Sequence, residues 1–244
     1  MKFHKIKVEE RTQLGSYILL RYRWNDAPID PGQFAMVRAA GYPITLDPFL
    51  ARPFSFYDYD GEVASLLFEV RGRGTALLDL APTIEVTAPL GKGFGIEPGL
   101  GRAALLGGGI GVAPLKILGR RLDAAGVPHD VFLGFADARS AVVAQEFQGA
   151  AVATMDGSEG TQGTVLDTIN TLEDYGAVYS CGPNPMLAAV KLAAGENSLC
   201  QLSVEERMGC GNGSCNGCVV PARGGGYIRS CVEGPVFPAE VLAW

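Results

Sequence analysis

Ala103-Ala104-Leu105-Leu106-Gly107-Gly108-Gly109-Ile110-Gly111-Val112-Ala113-Pro114-Leu115 reads as a buried strand, a glycine turn and a helix with proline in its first turn. Such a strand, 103–106, apolar throughout, suits a sheet covered on both faces. Glycines at 107–111 let backbone N–H groups approach a phosphate, and the start of a helix over 114–125 adds a favourable dipole. Tight strand-to-helix packing also selects glycine, so the turn alone is ambiguous; its strand–turn–helix setting favours a dinucleotide. Gly107, Gly108, Gly109, Gly111 and Pro114 are therefore candidate nicotinamide-cofactor residues. The spacing departs from the strict G-x-G-x-x-G form, since Pro114 stands where the third glycine would be.

Downstream, strands are expected at 129–135, 150–155 and 177–180, with helices at 164–172 and 185–194. Strands alternating with helices indicate a parallel sheet with crossover helices. Cys181-Gly182-Pro183-Asn184-Pro185-Met186 repeats the strand–turn–helix logic at the carboxyl end of a strand, where open α/β sheets bind ligands. Asp137, just past the 129–135 strand, is placed to accept from an adenosine ribose hydroxyl, which would favour NAD over NADP. It reads equally as a solvated loop acid beside Arg139.

Upstream, residues 1–100 carry short runs at 17–22, 34–38, 53–57, 63–70 and 83–88, separated by turn clusters such as Asp30-Pro31-Gly32 and Asp60-Gly61. This spacing predicts an antiparallel barrel. Within it, Arg52-Pro53-Phe54-Ser55 sets a guanidinium beside a hydroxyl on a strand, and Gly72-Arg73-Gly74-Thr75 leads into a short helix at 76–80. On composition alone these are only a strand with an exposed arginine and a turn.

Beyond 198 the chain turns rich in glycine and cysteine and cannot fill a core by itself. Of six cysteines, Cys210, Cys215, Cys218 and Cys231 follow C-x4-C-x2-C with 12 residues to the fourth. That is the plant-type [2Fe-2S] arrangement, in which one loop wraps two irons and a later segment closes the site. Gly209, Gly211, Gly213 and Gly217 would let the loop curl and turn N–H groups toward sulfur. A zinc ribbon would show two separated C-x2-C pairs instead, and a disulfide framework belongs to oxidising compartments. Ser203 and Glu206 form an S-x-x-E box expected to start a helix over 204–208. Cys200 reads as a small buried hydrophobe.

Composition agrees with a globular protein able to bury a core. The chain has 244 residues, 48% of them hydrophobic and 19% charged, with a net charge of −6. No basic footprint marks a nucleic-acid partner. The first seven residues lack a signal-peptide core, and no uncharged apolar run reaches about 18 residues, so no membrane association and a cytoplasmic location are expected. The domain reading is 1–100, 101–197 and 198–244.

Taken together, the R-P-x-S strand, G-G-G-x-G-x-A-P and C-G-P-x-P-M resemble the ferredoxin-reductase superfamily. A plant-type cluster module after the nicotinamide domain resembles the electron-transfer subunits of two-subunit, NAD-dependent dihydroorotate dehydrogenases. Pro31-Gly32-Gln33-Phe34, Pro89-Leu90-Gly91-Lys92-Gly93-Phe94 and Glu205-Glu206-Arg207-Met208-Gly209-Cys210-Gly211 share that likeness. The resemblance implies an N-terminal FAD-binding β-barrel, a parallel α/β NAD-binding domain and a small C-terminal iron–sulfur module. It assigns FAD to Arg52, Pro53, Phe54, Ser55, Leu67, Phe68, Glu69, Gly74 and Thr75, with Arg52 on the phosphates. Family members often carry arginine where Glu69 stands, and Arg71 and Arg73 are near enough in sequence to compensate. Cys181 would lie near the nicotinamide and flavin rings, beside Gly182 and Pro183.

The implied activity is electron transfer in pyrimidine biosynthesis. An FMN-containing catalytic partner oxidises dihydroorotate, in a heterotetramer of two of each subunit, and electrons leave through the cluster and FAD to NAD⁺. No residue here is a candidate for oxidising dihydroorotate itself; His4 and His129 lie outside the motifs. A reductase subunit of a hydrogenase, an oxygenase or a ferredoxin-dependent complex would carry the same cofactors.

Overall fold

A computed structural model describes residues 2–40, 49–97, 99–195 and 199–244. The first sheet is built from β1 (His4–Lys7), β2 (Glu10–Leu14), β3 (Tyr17–Arg23), β4 (Phe34–Ala39), β5 (Arg52–Tyr59), β6 (Val63–Glu69) and β7 (Thr83–Leu90), with α1 (Arg73–Leu80) between the last two. Its order is β1-β7-β4-β5-β6-β3-β2, antiparallel throughout. The sheet curls until β1 comes against β3. Leu20, Tyr22, Trp24, Phe56, Leu66 and Phe68 fill its interior. The β1 and β2 edges went unread because their polar and charged residues leave little apolar periodicity.

The second sheet holds β8 (Ala103–Gly108), β9 (His129–Phe135), β10 (Ala151–Thr154), β11 (Thr161–Gln162), β12 (Ala177–Cys181) and β13 (Leu199–Ser203). A hairpin, β14 (Val219–Pro221) and β15 (Tyr227–Arg229), precedes β16 (Val236–Pro238). The order β11-β10-β9-β8-β12-β13-β16 is parallel except for β16, which runs antiparallel to β13. All six residues of β8 are buried, because α2 (Ala113–Ala124) and α4 (Asn184–Ala194) join it in the packed interior. The boundary expected at 197/198 falls outside the described residues. Leu199–Ser203, read with the cysteine module, pairs with β12 and so extends the sheet.

Two expected helices do not form. Over 164–172 there is a single 3-10 turn, Val165–Thr168, closed by Thr164 and Asp167. The β-branched and turn-prone residues that follow, Ile169, Asn170 and Thr171, do not extend it. The S-x-x-E box at Ser203 stays open as well. The Val204 N–H donates to Pro235 O, prolonging the β13–β16 ladder, so the backbone is extended where the box needs a helix.

The two sheets share one interface. Tyr17, Leu19, Tyr57 and Leu67 of the barrel pack with Leu105, Leu115 and Leu133 of the α/β domain. Ile117 of α2 enters the barrel core, and Arg120 pairs with Asp58 of β5 at 2.6 Å. The connecting segment is tied down by Gln201, whose amide accepts from Gly95 N and donates to Gly95 O, each at 2.8 Å. Tyr179 OH donates to the same carbonyl at 3.1 Å. Cys218 and Cys231 pack on Phe34 and Met36 of the barrel. The cysteine segment is thus seated on the barrel and covalently continuous with the second sheet.

Candidate functional site

Where these three parts meet there is a cavity of about 280 Å³. Barrel strands supply its apolar wall through Pro53, Phe54, Leu67 and Phe68, with Ser55 among them. The β6–α1 turn adds Glu69, Arg71 and Thr75; the α/β domain adds Ile110, Ala113 and Cys181; the exit of β13 adds Ser203, Glu205, Glu206 and Met208. A second cavity of about 570 Å³ shares Pro53, Arg71, Glu205, Glu206 and Met208 with the first and adds Arg52 and Arg207. An apolar strand wall opening onto arginines suits a flat aromatic ring joined to phosphates.

Arg52 and Gly74 meet directly. A Cβ on Gly74 would lie 2.7 Å from Arg52 Nε, so glycine lets the guanidinium cross this turn in its present position. Arg52 also donates to Leu50 O. Thr75 Oγ1 accepts from Arg71 N at 3.0 Å and Gly72 N at 3.2 Å, fixing the start of α1. The residue that departs from the family pattern, Glu69, pairs with Arg71 at 2.7 Å. Arg71 and Glu205 attract across the cavity, while burial raises the Glu205 carboxyl above its ordinary range and Arg71 opposes that rise. Glu205 borders open space yet is closely surrounded by protein, which accounts for both its exposure and its burial penalty. Burial, reinforced by the Glu205 charge, pushes the Cys181 thiol up and keeps it neutral.

The glycine turn divides into two kinds of position. Added Cβ atoms would strike Leu115 at Gly107 (2.9 Å), Met186 Sδ at Gly108 and the Cys181 carbonyl at Gly111. Those three serve close packing of strand, helix and the neighbouring Cys181–Gly182 turn. Gly109 differs, with φ +55° and open space where a side chain would project. At Gly182 an added Cβ would approach Met186 at 3.0 Å, and Pro183 precedes α4. Pro114 occupies the first turn of α2. Asp137 caps a short helix, α3 (Ala138–Ala141), accepting from Ser140 N at 2.8 Å. Hydrogen bonds from Ser140 lower its carboxyl pKa.

The four spaced cysteines lie in two pairs. Cys215 N donates to Cys210 Sγ and Cys231 N to Cys218 Sγ, both at 3.4 Å. Gly217 N reaches Cys215 Sγ at 3.4 Å, and Gly213 N reaches Cys231 Sγ at 3.2 Å. Gly213 needs its left-handed φ of +82° for that contact. Burial works against ionising Cys210, but N–H groups of Asn212, Cys215 and Ser214 outweigh it and bring the thiol down to about 6. Cys231 is pushed up to about 12 by burial and by Cys218 and Cys210. Among the described residues no three His, Cys, Asp or Glu side chains converge on one ion. Two thiols per metal, with amides aimed at sulfur, fit a two-iron rhomb bridged by sulfide.

Other candidates lie apart. Cys200 is core, its thiol raised to about 12 by burial. His4 pairs with Asp26 and His129 with Asp123, away from the cavity. Sequence reasoning offered Arg71 only as compensation for Glu69 and passed over Glu205 and Ile110 as site residues. The motif stretch around Glu205 carried a signal, and Ile110 carried none beyond its place in the glycine turn. No helix among the described residues is long and apolar enough to cross a membrane.

Residues 205–243 match the family described as the iron-sulfur cluster binding domain of dihydroorotate dehydrogenase B. The "dihydroorotate dehydrogenase B (NAD(+)), electron transfer subunit" of Caldanaerobacter subterraneus is 35% identical over 248 residues, 97% of this chain and 96% of that protein. Its Listeria monocytogenes counterpart is 40% identical over 251 residues, 97% of each chain. Among solved structures, an NADH-dependent reduced ferredoxin-NADP oxidoreductase, studied for flavin-based electron bifurcation, superposes with a TM-score of 0.84 at 25% identity, covering 98% of this chain and 90% of that one. Phthalate dioxygenase reductase shares the fold, with a TM-score of 0.64 at 14% identity over 98% of this chain and 77% of that one. With its curled flavin-type barrel, parallel α/β domain and paired cysteines in one chain, the protein belongs to the family of electron-transfer subunits of NAD-dependent dihydroorotate dehydrogenase B.

Proposed function

We propose that this chain takes electrons from an FMN-containing dihydroorotate-oxidising partner, in a cytoplasmic heterotetramer of two of each subunit, and delivers them to NAD⁺. The observation that carries the reading is a cavity shared by barrel, α/β turns and cysteine segment. A flavin there supplies the needed chemistry, accepting single electrons from an iron–sulfur cluster and passing a hydride to NAD⁺. Pro53, Phe54, Ser55, Leu67 and Phe68 hold its ring. Arg52, Gly74 and Thr75 take its phosphates, with Arg71 braced by Glu69 beside them. Cys210 and Cys215 hold one iron, Cys218 and Cys231 the other. Gly107–Gly109, Gly111, Pro114, Gly182 and Pro183 shape the nicotinamide turn against the flavin cavity. There the neutral Cys181 packs without adding charge where a nicotinamide ring would stack. Asp137 keeps one carboxylate oxygen for α3 and offers the other to the adenosine ribose.

The test is reconstitution. The purified chain should contain FAD, iron and acid-labile sulfide and form no orotate alone; added to its partner, it should confer dihydroorotate-dependent NAD⁺ reduction. Orotate formation by the isolated chain would refute this division of labour.

A further inference from the structure

Among the described residues, four buried side-chain polar atoms lack a hydrogen-bond partner: Arg11 Nε, Tyr22 OH, Tyr57 OH and Ser230 Oγ. The first three belong to barrel strands β2, β3 and β5. Ser230 is different, because it lies among the cysteines and is 0% exposed. An unpaired buried hydroxyl is destabilising, so a fold that keeps one invites an explanation.

Its neighbours supply that explanation. Ser230 N donates to Cys218 O at 2.9 Å, and the next amide, Cys231 N, donates to Cys218 Sγ at 3.4 Å. Ser230 is thus bonded to one thiol-bearing residue of the second iron and covalently joined to the other. What this spot lacks is an acceptor. An iron–sulfur cluster on these thiols would bring inorganic sulfide as the acceptor, since no cysteine sulfur or other protein atom partners this buried alcohol.

We propose that the Ser230 hydroxyl donates a hydrogen bond to a sulfur atom of the cluster and thereby raises its reduction potential. The proposal rests on the assignment of the cluster to the four cysteines. Reduction adds negative charge to the cluster, so a donor aimed at sulfur favours the reduced form. Ser230 acts through the sulfur and is a positioning residue that tunes the carrier.

The experiment is a redox titration of the assembled complex, followed by electron paramagnetic resonance, with Ser230→Ala, Ser230→Thr and Ser230→Val. Ala and Val should each lower the equilibrium for cluster reduction about tenfold, or about 59 mV for a one-electron couple, while Thr stays near wild type. Thr and Val have the same shape and differ in the donor, so iron retained by Thr but not by Val also supports the hydrogen bond. A loaded Ala or Val protein at the wild-type potential overturns it. Wild-type protein without acid-labile sulfide would instead remove the cluster assignment, a result distinct from an unchanged potential.

Discussion

Replacing Gly111 by alanine tests how closely the nicotinamide turn is packed against the flavin cavity. The new Cβ would overlap the Cys181 carbonyl and stand 2.7 Å from Gly182 Cα, all backbone atoms. Ordinary contact begins near 3.4 Å and the Cys181 carbonyl oxygen is the nearest atom, so the turn must move by about 1 Å, and no rotamer change can absorb the shift. Overpacking of this kind costs about 1–3 kcal/mol, which in a chain of this size lowers the melting temperature by about 2–4 °C per kcal/mol. A displacement approaching 1 Å at the reacting geometry costs about 100-fold in rate. Stopped-flow reduction of the bound flavin by NADH should therefore slow by about two orders of magnitude, with flavin and cluster absorbance retained. Gly224→Ala, at a position with nothing within 4 Å and no left-handed φ, should change neither quantity. Wild-type hydride transfer in Gly111→Ala would show that the close approach of these turns does not set the site.

Three further outcomes follow from the same geometry. Arg52→Ala should weaken FAD binding by about 1.5–3 kcal/mol, the range for hydrogen bonds to charged groups, read as flavin lost on gel filtration. Cys231→Ser should bleach the visible cluster absorption and expose the segment after 205 to proteolysis, since metal binding and folding are linked. Glu233 pairs with Arg229 beside Cys231, and the Arg229 hydrogen bonds bring its carboxyl down from 4.5 to about 2. A lowered carboxyl stabilises above pH 4.5 and loses that contribution as pH falls toward 2. The pair is partly exposed, so Glu233→Gln should cost about 1 kcal/mol or less at neutral pH. The melting temperatures of variant and wild-type apoprotein should converge in acid.

The parts of the fold that sequence revealed were those with local signals. β9 was legible to the residue because seven residues with a buried apolar centre lie between a proline turn and an alanine–aspartate step. The cysteine spacing likewise marked the loop whose amides turn toward sulfur, though not which thiols pair. The errors arose where a distant partner outweighed a local preference. Ser203 and Glu206 satisfy a helix-start pattern, but Val204 finds Pro235 first. The glycine turn reads both as phosphate chemistry and as tight packing, and the crowding at Gly107, Gly108 and Gly111 comes from side chains and backbone that no local pattern announces. Asp137 is read at once as a helix cap and as a ribose acceptor, because sequence position cannot show which oxygen is already occupied. Arg71 and Glu205 come from segments more than a hundred residues apart, and only folding places both on one cavity.

In the proposed relay, electrons pass between the nicotinamide and the cluster only by way of the flavin. Anaerobic mixing with NADH, followed by flavin absorbance and the paramagnetic signal of the reduced cluster, tests it directly. Flavin bleaching should precede the cluster signal in wild type, and no cluster signal should appear in Arg52→Ala stripped of FAD but still holding iron. Rapid reduction of the cluster by NADH in that flavin-free protein would contradict it.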